Sequence, residues 1–160
     1  MPYQPEYDIG RYDFARDLAY GEQAEESIRR FLGQILQGSI EVKSDRYRNG
    51  KMVVETHQHR RFADKSAGDS FWRESGINVT KADWWVYVYS LNEGFVIVSV
   101  PRLRRFLRYH QDKYNSRTKR IFAESSDNPS KGWLLLPSEV MDLLINPNYD
   151  DRNNEQQQRR

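Results

Sequence analysis

Between residues 20 and 37 apolar side chains recur at helical spacing. Ala24, Ile28, Phe31, Leu32, Ile35 and Leu36 fall on one side, and Gly38 follows as a stop, so the spacing predicts a helix over 20–37. Two short β segments come next, 39–46 and 51–58, and Asn49-Gly50 between them predicts a hairpin because both residues tolerate positive φ. Residues 60–79 are polar, contain Gly68 and Gly76, and read as a long loop or a short helix. Strands are predicted at 84–90 and 95–100. Pro101 then opens a helix with Leu103, Phe106, Leu107 and His110 on one stripe and arginines on the other. Short strands at 120–123 and 132–136, and a helix over 138–145 with Ser138 as N-cap, complete the series. This order implies an α/β domain with a mixed sheet. The two ends carry no period. Residues 1–19 read as an irregular arm, and 146–160 as a polar tail with too little apolar content to fold or to support the core. The expectation is one domain over 1–145.

Composition narrows the classes. The chain has no cysteine, which removes disulfides and thiolate metal sites. No apolar run reaches membrane-span length and the first residues do not resemble a signal peptide, so a soluble, cytoplasmic protein without a membrane partner is expected. The net charge is +2, but it is unevenly spread: seven acids stand against two arginines up to Glu26, and eight bases against one acid from Pro101 to Arg120. A dense basic segment in a near-neutral chain suggests a polyanion partner, although a solvated charged helix would look the same. Arg102, Arg105 and Arg108 lie along the side of their helix away from the apolar stripe, and Lys113, Arg117, Lys119 and Arg120 follow in a loop. Arginine suits phosphate through its fork of donors. The aromatic run Trp84, Trp85, Tyr87 and Tyr89 reads as core.

The chemistry-bearing segment is Ile40-Glu41-Val42-Lys43-Ser44-Asp45, followed by Met52-Val53-Val54-Glu55-Thr56-His57. Alternation puts Glu41, Lys43 and Asp45 on one face of the first strand, and Val53, Glu55, His57 and His59 on one face of the second. A two-residue turn pairs Asp45 with Val54 and separates the acids. A three-residue turn ending at Gly50 pairs Lys43 with Glu55 and brings Asp45 diagonally across from it. The register stays open. Two carboxylates and a lysine suit metal-assisted phosphodiester hydrolysis, and equally suit a solvent-facing hairpin.

An acidic helix followed by a hairpin bearing Asp and then Glu resembles the PD-(D/E)XK nuclease superfamily, in its Holliday-junction-resolvase-like and small phage endonuclease branches. The strings Ile-Glu-Val-Lys-Ser-Asp, Val-Val-Glu and Ser75-Gly76-Ile77-Asn78-Val79-Thr80-Lys81-Ala82-Asp83-Trp84-Trp85-Val86 carry the resemblance, over roughly residues 20–100. It implies a restriction-endonuclease-like core, a central mixed β-sheet flanked by helices, and a Mg²⁺-dependent DNA endonuclease, with resolution of branched DNA among the family's activities. Mn²⁺ is the implied substitute ion, DNA the partner, a homodimer the assembly by analogy, and the host cytoplasm the setting if the protein is phage-encoded.

Carried over residue by residue, Asp45 and Glu55 match the metal-binding acids. The family lysine belongs two positions after Glu55, where His57 stands, so Lys43 is the candidate to supply it, with His57 as a base in its place. Glu25 matches the helix glutamate that many members add as a ligand, Glu22 is second choice, and Glu26 faces away. Another parsing takes Glu41-Val42-Lys43 as the (D/E)XK triplet, with only Asp8, Asp13 and Asp17 available upstream. A two-residue turn would make Glu41 and Lys43 the leading pair. Glu55-x-His57-x-His59 is a third arrangement, suited to a transition metal. The alternative function is a catalytically inactive DNA-binding module on the same fold.

Overall fold

A computed structural model describes residues 14–44, 49–59, 72–90, 94–114, 120–122 and 129–150. The chain divides into two units, residues 1–38 and 39–160. Among the described residues the first holds one helix, α1 (Phe14–Gln37). It begins earlier than the apolar spacing predicts, so residues 14–19, expected in an irregular arm, are helical. The segment Phe14-Ala15-Arg16-Asp17-Leu18-Ala19 has neither glycine nor proline to resist the helix. Gly38 closes α1, its N–H donating to the Gln34 carbonyl at 3.0 Å.

The second unit is α/β. In chain order it comprises β1 (Ile40–Ser44), β2 (Met52–His59), β3 (Trp72–Glu74), a 3₁₀ turn (Gly76–Asn78), β4 (Trp84–Ser90), β5 (Gly94–Ser99), α2 (Val100–Tyr109), α3 (Gln111–Tyr114), β6 (Arg120–Phe122), β7 (Ser130–Leu135), α4 (Pro137–Ile145) and a second 3₁₀ turn (Pro147–Tyr149). A mixed three-stranded sheet runs β1-β4-β5, with β1 parallel to β4 and β4 antiparallel to β5. A four-stranded antiparallel sheet runs β3-β2-β7-β6. Met52 and Val54, Trp85 and Tyr87, Val98, and the α2 stripe Val100, Leu103, Phe106 and Leu107 meet Leu143 of α4 in one buried core. Apolar burial on this scale is the main term holding such a unit together.

The predicted hairpin between β1 and β2 does not form. Asn49-Gly50 does bend the chain: Lys51 N–H donates to Asn49 Oδ1 at 3.0 Å, and Gly50 has φ +71°. But β2 pairs with β3 and β7, while β1 pairs with β4 in the other sheet. The start of β1 is instead tied to the start of β4, where Ser39 N–H and Oγ both donate to Asp83 Oδ2, at 2.8 and 3.0 Å. The strands expected in one central sheet are therefore shared between two.

Two helix boundaries carry further corrections. Leu136, not Ser138, is the N-cap of α4; Pro137 takes the first turn, and Glu139 reaches back to accept from Leu136 N–H at 2.8 Å. Residues 146–150, expected in a tail, are docked. Tyr149 is 1 % exposed and stacks edge-on to Phe106 at 5.2 Å between ring centroids. Its hydroxyl donates to Asp142 Oδ2 at 2.7 Å and lies 2.8 Å from His110 Nε2. Residues 151–160 lie outside the described residues.

Candidate functional site

Glu41 and Lys43 project from the same face of β1, beside Trp85 and Tyr87 of β4, with which they are in register. Among the described residues β1 is an edge strand, so this face meets the core on one side and solvent on the other. Lys43 Nζ lies 2.7 Å from Glu41 Oε1 and 5.6 Å from the centre of the Trp85 ring. Burial acts against the charge on Glu41, yet the Lys43 and Thr80 hydrogen bonds and the Lys43 charge together hold its carboxyl below the ordinary glutamate value.

Glu55 sits in β2 where two glycines close on it. Ser75 Oγ donates to Glu55 Oε1 at 2.7 Å, and Ser75 N–H bonds the Thr56 carbonyl at 2.8 Å. Gly76, at φ +51°, lies so near that a side chain there would strike the Glu55 carbonyl. Gly132, the cross-strand partner of Glu55, approaches from β7, and a Cβ on it would stand 2.9 Å from Glu55 Cα. The register of β2 against β7 then slips, with Glu55 opposite Gly132 but His57 opposite Lys131. Cross-strand partners share a face, so this bulge at Thr56 turns His57 to the face opposite Glu55. The Glu55, His57 and His59 arrangement expected from simple alternation is therefore broken, and His57 Nδ1 lies 3.0 Å from Thr56 Oγ1 instead.

Residues 75–83 connect the two acidic positions. Ser75 holds Glu55, Thr80 favours the charge on Glu41, and Asp83 holds Ser39 at the entrance to β1. A single turn joins the first two, with Thr80 N–H donating to the Gly76 carbonyl at 2.9 Å. Sequence reasoning used this string for its resemblance and missed Ser75 and Thr80 as positioning residues. The signal available was a pair of hydroxyls flanking a glycine that a tight turn needs.

The other predicted residues are dispersed. Asp45 lies outside the described residues, as do Arg117 and Lys119; Lys113 is in α3 and Arg120 in β6. Lys43 pairs across strands with Tyr87, not with Glu55. Glu25 is exposed on α1, 3.6 Å from Arg29 one turn on. Arg102, expected on a solvent face, turns inward. Its guanidinium donates to the carbonyls of Leu143, Leu144 and Asn146 at 2.6, 3.2 and 2.8 Å and pairs with Asp150. It thereby satisfies carbonyls that the end of α4 leaves without helical donors. Arg105 Nε donates to the Tyr149 carbonyl at 2.6 Å, whereas Arg108 is exposed.

Carboxylate oxygens are hard donors of the kind Mg²⁺ takes, and that ion needs only one or two of them because it keeps several waters. The donor chemistry of Glu41 and Glu55 fits it. Among the described residues no three His, Asp or Glu side chains converge as a ligand set. No helix among them is long and apolar enough to cross a membrane. Comparisons of the chain with protein-family models, with curated proteins and with solved structures gave no match.

Proposed function

We propose that the protein is a Mg²⁺-dependent DNA nuclease of the PD-(D/E)XK type, with Glu41-Val42-Lys43 as its acidic triplet on a restriction-endonuclease-like core. The observation that carries this reading is the 2.7 Å contact between Lys43 Nζ and the Glu41 carboxylate on one face of an edge strand. Glu41 serves as a hard oxygen ligand, joined by Asp45 just beyond the strand, and Lys43 offsets charge on the scissile phosphate. Ser75 orients Glu55 as a further oxygen donor. Bound Mg²⁺ supplies polarisation of the phosphate and a lowered pKa for the attacking water. Duplex phosphates fall to Lys113, Arg117, Lys119 and Arg120, since Arg102 and Arg105 are engaged within the fold. A homodimer and a phage-derived, cytoplasmic setting rest on the family resemblance alone.

The test is cleavage of linear, circular and four-way-junction DNA, with Mg²⁺ and with chelator. Glu41→Gln and Lys43→Ala should each lower the rate about 10²–10³-fold with the fold intact. Absence of metal-dependent cleavage by the pure protein overturns the nuclease. Salt-sensitive DNA binding without cleavage would leave the inactive DNA-binding module.

A further inference from the structure

Against the Gly76–Asn78 turn lies an open groove of about 530 Å³. That size falls within the roughly 300–1,000 Å³ typical of small-molecule sites. Leu107 and Arg108 of α2, Gln111 of α3, Trp133 of β7, and Ile77 and Asn78 of the turn form its walls. Resting on the DNA-directed reading above, we infer that this groove receives one unpaired nucleotide, with its base against Trp133 and its phosphate on Arg108.

Three properties of the walls carry the assignment. Two arginines, Arg104 and Arg108, stand in the groove against one carboxylate, Glu74. Arg104 is held by the carbonyls of Ile77 at 3.0 Å and Thr80 at 2.8 Å, which fixes its charge in the wall. Arg108 is exposed, with no ion-pair partner among the described residues, and so is available to an anion. Trp133 is half-buried and packed on the core, which presents a rigid ring of the kind bases stack on. Asn78 and Gln111 each bring an amide with both donor and acceptor, as the edge of an unpaired base requires. A paired base keeps its edge and both faces occupied and cannot enter.

Position supports the same ligand. Ile77 and Asn78 follow closely on Ser75, which holds Glu55. A strand anchored by one base in the groove therefore runs past the turn whose Ser75 holds Glu55. The class of substrate this selects is single-stranded or frayed DNA.

The experiment measures binding of a fluorescent twelve-residue oligothymidylate and of a duplex of equal length, in chelator so that nothing is cut. Arg108→Gln and Trp133→Leu should each weaken single-strand binding by about fivefold or more and duplex binding by less than about twofold, with Trp133→Phe close to wild type. Thermal melts confirm that each variant is folded, and Arg108→Gln, at an exposed position, carries the test if Trp133→Leu is not. The groove is overturned if Arg108→Gln leaves single-strand affinity unchanged, or weakens strand and duplex alike. Its fate is separable from that of the nuclease. Loss of single-strand binding in a protein that cuts nothing supports the groove and removes the enzyme, whereas cleavage with unchanged strand binding does the reverse.

Discussion

Ending the chain after Ile145 removes Tyr149 and Asp150 together. Tyr149 is almost wholly buried, against Phe106, and its hydroxyl donates to a carboxylate. Truncating a buried large aromatic costs about 3–5 kcal/mol, and a hydrogen bond to a charged group adds roughly 1.5 or more. The deletion also strips Arg102 of its Asp150 partner and of the Asn146 carbonyl. For a unit of this size each kcal/mol moves the melting temperature by about 3–5 °C, so a drop on the order of 15 °C is expected. Circular dichroism melts of the full chain, the truncation and Tyr149→Phe provide the measurement. Tyr149→Phe keeps the ring and should lose only a few degrees. A truncated chain that melts within about 3 °C of the full one refutes the docking of 146–150 and restores them to a tail.

Gly76→Ala forces a Cβ toward the Glu55 carbonyl at positive φ, so it should cost about 1–3 kcal/mol, read as a lower urea midpoint; an unchanged midpoint would contradict the close approach. Acid should weaken the larger unit, because the carboxyls of Glu41, Asp83 and Asp142 all lie below their ordinary values. Burial opposes the charge on Asp142, but Asn146, Tyr149 and His110 outweigh it through hydrogen bonds, while Ser39 does the same for Asp83. A depressed carboxyl contributes stability that is complete above the unfolded value, near 4, and is lost as pH falls through the folded one. Melting temperatures should therefore decline below about pH 4, and Asp142→Asn should flatten that decline; a curve level down to pH 3 would count against these contacts.

What could be read from the residues was local. The β4–β5 strands, the Pro101-led helix with its apolar stripe, and the bend at Asn49-Gly50 all follow from short-range periodicity and turn chemistry. Pairing did not follow, because an Asn-Gly bend says where a chain turns and nothing about which strand lies beside it afterwards. The 3₁₀ turn and β3 lay hidden in a polar stretch, since their partners on β2 are not sequence neighbours. Arg102 misled for a related reason. Helical spacing put it opposite the apolar stripe, but its long stem let the guanidinium reach the end of α4, about forty residues away. One aromatic among polar residues, Tyr149, offered too weak a pattern to announce burial, although Asn146-Pro147 before it was a usable capping signal. For the site, Glu41 and Lys43 were legible as a same-face pair, whereas the hydroxyls that hold the acids were not.

The placement of β2 sets a condition on how this chain becomes structured. Met52 lies opposite Leu135, about eighty residues later, so one edge of β2 waits for its neighbour until those residues are made. Until β7 arrives, β2 exposes unpaired amides and carbonyls to any other extended chain nearby. Such long-range closure belongs with domains that fold in milliseconds to seconds, not microseconds. Yield in a cell should accordingly respond to temperature and to chaperone supply more steeply than equilibrium stability alone accounts for.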